Sequence, residues 1–445
     1  MASTSLSRTP SSAGNRRTWT WSGWIKRSEL SNAGQMTLFG ANSSAGANDE
    51  DSLHFNANDT FRIVFNNAGA GDITTSAVLR DTSAWYHIVI AVDTTQATAS
   101  DRVKIYINGT QQTSFSPETY PSQNYDCKVN NTVPHQIGYI DDAAGGGGST
   151  YFNGLMTHIH FIDGTAYDAS AFGQADANGV WTINTSPSVT YGTNGFFILK
   201  DGNDITDQSG NGNNFSVANG TLTNTEDNPS NVFATVNPLV PSNISSLSNG
   251  NTTLTQSTDA SAIATLGFQG GKYYWEVKNS NQQSFTQLVG VLRQARMASS
   301  GNAGYNIGTN DGSWSYFIQS NQDNGKAFHN NTLTSVLQTT SANDILQVAV
   351  DADVGKIWWG VNGTWVNSGD PANGTNAVYT NLPTDDVLFP AFSNYNAGQF
   401  QINFGNGYFG TTAVASAGTN ASGIGIFEYD VPTGYTALST KGLNL

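Results

Sequence analysis

An all-β chain of two antiparallel sandwiches in tandem is what the sequence predicts, on three observations. Short runs rich in Val, Ile, Thr and aromatic residues recur along the chain, with polar turns between them and no amphipathic helical period. One strand–turn–strand unit closed by an Asn-Gly pair occurs twice, about 250 residues apart. And 445 residues exceed one ordinary sandwich.

The strands follow in order. Thr18-Trp19-Thr20-Trp21 alternates, and Gly23 marks a bulge or a close approach before Trp24-Ile25. Residues 61–65, 85–92 and 103–107 read as further strands, and the Ala-rich stretch 167–178 has room for one helical turn. The duplicated unit is Ile88-Val89-Ile90-Ala91-Val92-Asp93 with Lys104-Ile105-Tyr106-Ile107-Asn108-Gly109-Thr110. Its second copy is Leu346-Gln347-Val348-Ala349-Val350-Asp351 with Lys356-Ile357-Trp358-Trp359-Gly360-Val361-Asn362-Gly363-Thr364. Asn-Gly suits a type I′ hairpin, because both central residues need positive φ. Between the copies, 201–214 and 228–250 are rich in Asn, Ser, Gly and Pro, which places the junction near Ser230. The expected division is an amino-terminal arm, 1–17, a first sandwich, 18–229, and a second, 230–445.

Composition narrows the function. Charged residues are 11% of the chain, so Asn, Ser, Thr, Gln and Gly must cover the surface. The net charge is −15 with 18 Lys and Arg, which disfavours nucleic acid and anionic membranes as partners. No 18-residue apolar run occurs, so no membrane insertion is expected. Residues 1–17 are polar and have no apolar h-region, so no standard secretory signal is expected. Cys127 is the single cysteine, which rules out a disulfide framework within the chain.

Several side chains are candidates for chemistry, each with a plainer alternative. His158 and His160 alternate, as a metal pair would, or as residues on the outer face of a half-buried strand. Asp141 and Asp142, before a run of four glycines, Asp49-Glu50-Asp51, and Asp201/Asn203/Asp204/Asp207 are three candidate groups of calcium ligands. All of them also fit turns in which Asx side chains bond nearby backbone. Glu428 and Asp430 are two apart, but the third acid of a glycosidase-like strand is missing, so no enzyme is expected. Trp314, Tyr316, Trp359, Trp365 and Tyr395 are candidates for stacking on sugar rings, with core packing as the alternative. Trp358 and Trp359 must point to opposite faces, one into the core and one toward surface or interface. Ten Trp and 17 Tyr exceed what two sandwich cores require, which argues for subunit contacts. Arg8, Arg16 and Arg17 make the 1–17 arm positive on a negative protein, as an arm that docks on an acidic neighbour would be.

The first half resembles laminin-G-like, concanavalin A-like jelly rolls, through Trp21-Ser22-Gly23-Trp24-Ile25-Lys26, Trp85-Tyr86-His87-Ile88-Val89, Phe152-Asn153-Gly154-Leu155-Met156 and Ile159-His160-Phe161-Ile162-Asp163-Gly164. The second half resembles a SPRY domain, through Gly271-Lys272-Tyr273-Tyr274-Trp275-Glu276-Val277, Leu288-Val289-Gly290-Val291, Leu388-Phe389-Pro390-Ala391-Phe392 and Ile402-Asn403-Phe404-Gly405. The pair, low in charge and rich in Asn and Gly, resembles virion proteins of marine tailed phages. That resemblance implies a tail fibre, head fibre or capsid decoration protein, bound to capsid or tail proteins. The aromatic surplus and the positive arm lead to the expectation of a homo-oligomer, most simply a trimer, presenting loops to a host-surface glycan or receptor. The alternative is a free-standing bacterial adhesin or carbohydrate-binding module.

Overall fold

The computed structural model describes residues 4–30, 34–44, 49–141, 149–200, 202, 204–240, 246–256, 260–297 and 307–445. The chain divides into two compact units, Met1–Asn224 and Thr225–Leu445. Strand makes up 42% and helix 4%, and the sheets are predominantly antiparallel, so the all-β tandem sandwich is what the chain adopts.

In the first unit, one sheet runs Phe115–Thr119, Gly71–Val78, Thr60–Phe65, Asp51–Phe55, Gln35–Ala41, His135–Ile137, Ser5–Arg8, Ser216–Asn219, with Ser149–Tyr151 parallel to Gln35–Ala41. The facing sheet runs Phe196–Ile198, Gly154–Asp163, Thr18–Arg27, Trp85–Asp93, Val103–Ile107, Thr110–Gln111. Alternation selects the core: Trp19, Trp21 and Ile25 point inward with Ile88, Ile90, Val92, Val103 and Ile105. Gly23 is a close approach, since a Cβ there would lie 2.7 Å from the Trp21 ring and from Ile159.

The second unit repeats the plan. Its larger sheet runs Ser246–Ser248, Thr253–Gln256, Gly398–Asn403, Lys272–Asn281, Ile345–Asp351, Lys356–Val361, Thr364–Trp365, with Thr436–Ala437 parallel to Lys272–Asn281. Its partner sheet runs Ala260–Ile263, Leu388–Asn394, Leu288–Arg293, Ser313–Phe317, Ala327–His329, Thr332–Leu333. The duplicated hairpins match down to individual hydrogen bonds. Asn108 and Gly109 have φ of 47° and 79°, and Asn362 and Gly363 have 49° and 84°, as type I′ turns require. The Asn108 Oδ1 accepts from His87 N at 2.8 Å, and the Asn362 Oδ1 accepts from Ile345 N at 2.9 Å. Register then makes Ser22, opposite Val89, the counterpart of Glu276, opposite Gln347.

In each unit a stretch of chain outside the two main sheets covers the outer face of the hairpin sheet. In the first, the stretch 164–195 does so, with the 3-10 turn Ala169–Ala171 inside the Ala-rich stretch. Its Trp181 donates Nε1–H to the His87 Nδ1 at 2.9 Å, so the imidazole proton sits on Nε2 and is donated to the Ser22 Oγ at 2.9 Å. In the second unit, Phe427, Val431 and Tyr435 pack on Tyr274, Ala349 and Trp358. The expectation that one of Trp358 and Trp359 meets surface or interface is therefore corrected: both are fully buried, Trp359 in the sandwich core and Trp358 under this cover.

The arm is also corrected. Leu6 is a core residue, and Ser5–Arg8 is hydrogen-bonded on both sides, to His135–Ile137 and to Ser216–Asn219. Arg8 bonds the Asn213 side chain, Arg16 the carbonyls of Asp126 and Cys127, and Arg17 the Asp126 carboxylate at 2.8 Å. These arginines fasten their own unit.

Buried titratable groups give the first unit a pH response. Burial holds the His54 and His87 imidazoles down at about 3 and His135 at about 4, and pushes His160 well below its usual value. The unfolded chain binds these protons near 6.5 and the folded unit does not, so stability is lost as pH falls through that window. Burial raises Asp51 to about 7 and acts in the opposite sense, but it is one group against four. The expected outcome is a first unit that is less stable at pH 5 than at pH 6.5, read as lower amide-exchange protection, after correction for intrinsic rates, in the peptides of Trp85–Asp93 and Gly154–Asp163.

Candidate functional site

The acids are the first place to look for chemistry, and Asp207, Asp51, Asp49, Glu428 and Asp430 are engaged in ties of their own. Asp207 accepts from the backbone N–H of Phe197, Ser209 and Asn213 and from the Ser209 hydroxyl, at 2.8–2.9 Å. Asp51 is buried and accepts from Asn66 N at 2.9 Å and from Lys128 N, while Asp49 pairs with the Lys128 ammonium at 2.6 Å. Glu428 accepts from Ala415 N at 2.9 Å, and Asp430 from Thr419 N at 2.6 Å and Thr419 Oγ1 at 2.8 Å. The Asp141 backbone is tied to Asn42 and Gln136; Asp142, Asp201 and Asn203 lie outside the described residues. His158 sits at a β-bulge with φ 48°, and His160 stacks on Phe197 at 4.0 Å and bonds the Tyr191 hydroxyl at 2.9 Å. Among the described residues, no group of three or more His, Cys, Asp or Glu is placed to hold a metal.

Three of the five aromatic candidates are core. Trp314 is 2% exposed, and Tyr316 and Trp359 are fully buried in the sandwich interior, which corrects their assignment to a ligand surface. They alternate on central strands whose inner faces fill the core. Trp365 is half-buried, edge-on to Tyr274 at 6.4 Å, beneath the cover described above. Only Tyr395 stands at a loop rim, and there it meets a residue the sequence reading missed. Phe285 is 49% exposed and packs edge-to-face on Tyr395 at 5.3 Å. A lone Phe among Gln, Ser and Thr in Gln282-Gln283-Ser284-Phe285-Thr286-Gln287 was the signal that could have found it.

The loops that carry this pair are knitted by amides. Gln287, fully buried, is the hub: its Nε2 donates to the Asn279 Oδ1, Asn281 O and Asn394 Oδ1 at 3.0–3.2 Å, and its Oε1 accepts from Asn279 Nδ2 and Gln283 N. Asn281 Nδ2 donates to Ala397 O at 2.8 Å, and Asn396 Nδ2 to the Gln283 Oε1 at 3.2 Å. Asn321 Nδ2 donates to Ser284 O at 3.0 Å, and Gln282 Nε2 reaches Ile318 O and Thr340 O. Loops 282–287, 319–322 and 395–397 contain no Asp, Glu, Lys or Arg. Neighbouring Asp323 and Lys326 neutralise each other at 2.9 Å. The result is an uncharged platform, hydrogen-bonded within itself, on which the exposed Phe285 packs against the half-buried Tyr395 with amide groups beside them.

Comparison with known proteins supports the two halves separately. Residues 2–170 match the family described as the concanavalin A-like lectin/glucanases superfamily, and residues 272–407 match the SPRY domain. No curated protein matches the chain. Among solved structures, it is similar to stonustoxin at 21% identity and TM-score 0.30, covering 38% of this chain and 27% of that one. The TRIM65 PSpry domain is similar at 18% identity and TM-score 0.30, with 38% and 91% covered. The SPRY domain of human HERC1 is similar at 19% identity and TM-score 0.27, with 34% and 87% covered.

Proposed function

We propose that this chain is a non-catalytic binding protein whose second unit takes up a neutral glycan on the Phe285–Tyr395 platform. The observation that carries the reading is the exposed Phe285 packed edge-to-face on the half-buried Tyr395, on loops without formal charge and already tied to one another. A hexose offers apolar C–H faces and a rim of hydroxyls. The rings suit the faces, and Asn281, Gln283 and Asn396 each keep amide valences for the rim beyond their internal bonds. Loops ordered before binding lose little entropy in it. The engagement of Glu428, Asp430 and Asp207 in backbone ties supports a role without catalysis.

The setting we propose is a phage virion, as a tail fibre, head fibre or capsid decoration protein, attached to capsid or tail proteins as a homotrimer. The tandem of the two matched families, the low charge and the Asn- and Gly-rich composition support it, and many copies would convert weak contacts into avidity. Mass spectrometry of purified particles separates this setting from a free-standing adhesin. For the binding itself, the full chain should retain neutral oligosaccharides on an array. Phe285→Ala with Tyr395→Ala should weaken retention at least about tenfold, roughly 1.4 kcal/mol. Unchanged retention by the double variant would refute the site.

A further inference from the structure

We propose that residues 173–183 form an acid-released strap on the outer face of the first unit's hairpin sheet, held shut by the bond from Trp181 to His87 and freed when His87 takes up a proton. The proposal goes beyond glycan binding and does not depend on it. The strap is a small hairpin that pairs Gly173–Ala175 with Trp181–Ile183. Its residues 174–180 are exposed. Among the described residues, one hydrogen bond ties it to the sheet, from Trp181 Nε1–H to the His87 Nδ1 at 2.9 Å. The indole is closely seated: a Cβ on Gly109 would lie 2.4 Å from its ring, and one on Gly173 2.7 Å.

The donor and acceptor roles set the direction. An indole N–H donates and does not accept, so the His87 Nδ1 that faces it carries no proton. The imidazole proton sits on Nε2 and is donated to the Ser22 Oγ at 2.9 Å. The ring is fully buried and stacks on Trp24 at 4.8 Å. A second proton has one place to go, the Nδ1, where it would face the indole N–H with no acceptor between them. Protonated His87 and a seated Trp181 therefore exclude each other.

The charged neighbours do not oppose this. On its own strand, Asp93 is six residues away and bonded to Thr95 and Gln96. The strand Thr18–Arg27 brings Lys26, and Val103–Ile107 brings Tyr106 and Lys104, the latter paired with Asp101 at 3.3 Å. From Gly154–Asp163 come His158 and His160, and His160 bonds the Tyr191 hydroxyl at 2.9 Å. The cover brings Tyr167 and two acids: Asp168 accepts from Ser170, and Asp176 from Asn178 and Val180. Among the described residues, no carboxylate bonds the His87 ring to offset a positive charge. Burial acts in the same sense and holds the imidazole down at about 3.

The sign follows from linkage. An imidazole released to water takes its proton near pH 6.5, roughly the upper edge of the window. The closed strap binds that proton less tightly than the open one. Opening is therefore constant above the window and rises about tenfold per pH unit below it.

Amide exchange of the full chain, corrected for intrinsic rates, tests the strap from pH 7.5 to 4.5. A free two-stranded hairpin is marginal in water, so its cross-strand amides report docking. Protection in residues 173–183 should fall by up to about 100-fold, with Trp85–Asp93 better protected throughout. In His87→Gln, whose amide oxygen can still accept from the indole, the strap should lose this dependence. A flat profile in the unaltered chain, the same fall in His87→Gln, or equal protection of strap and strand at every pH would each overturn the proposal. If His87→Gln does not fold, the Trp181 indole proton decides, identified as the signal missing from Trp181→Phe. Its loss to solvent exchange as pH falls supports the strap, and an indole proton still protected at pH 4.5 overturns it.

Discussion

Trp359→Ala is expected to lower the stability of the second unit by about 3–5 kcal/mol. The indole is fully buried, stacks on Tyr316 at 5.7 Å and meets Tyr379 at 6.2 Å. Truncation removes the transfer free energy of the ring and leaves a void that rigid strands from both sheets cannot close. Tyr395→Ala, at the rim, should cost about 1 kcal/mol or less, since half-exposed side chains away from the core contribute little. Urea unfolding of the two variants measures the contrast. Equal, small costs would return Trp359 to the list of ligand contacts.

Asp59→Asn is expected to destabilise the first unit by about 3–5 kcal/mol. The Arg27 guanidinium is fully buried, 4.3 Å over the Phe55 ring, and pairs with the equally buried Asp59 at 2.9 Å. Asp59 also holds Arg80 at 2.8 Å. Removing the negative charge leaves a buried cation without its counter-charge, which costs more than the pair contributes when intact. Asn is the informative replacement, because Asp59 has φ 67° and Asn tolerates that backbone where Ala would add strain. The double variant Arg27→Met with Asp59→Asn should recover most of the loss, and its melting temperature relative to Asp59→Asn checks the argument. No recovery would show that the site is held by shape and not by charge.

The parts of this fold that were legible in the sequence are those with local periodicity. Alternation in Trp85–Asp93 and Ile345–Asp351 marked core strands, and Asn108-Gly109 and Asn362-Gly363 marked the turns of a repeated hairpin. Illegible were the covers on the outer faces. The bonds that Glu428 N and Tyr429 N donate to Glu276 join residues about 150 positions apart, and nothing in residues 427–435 says which face they meet. That omission also misled the reading of the aromatics. Trp19, Trp21, Trp24, Trp85, Trp275, Trp314, Trp358 and Trp359 are all buried. The apparent surplus of Trp is taken up by the sandwich cores themselves and, for Trp358, by the cover over the outer face, and it no longer argues for subunit contacts. The loop platform was half legible: Tyr395 was named from its type, but Phe285 reaches it only because Gln287 and Asn281 draw two distant loops together.

The claim at the centre of this account is that the second unit binds through its loop end. Amide-exchange footprinting of the full chain with and without a neutral hexose oligosaccharide at saturating concentration tests it most directly. The account predicts slowed exchange in residues 281–287, 319–324 and 394–398, with the rest of the chain unchanged and no footprint in the Phe285→Ala, Tyr395→Ala double variant. A footprint on the first unit, or one on these loops that survives in the double variant, would contradict it.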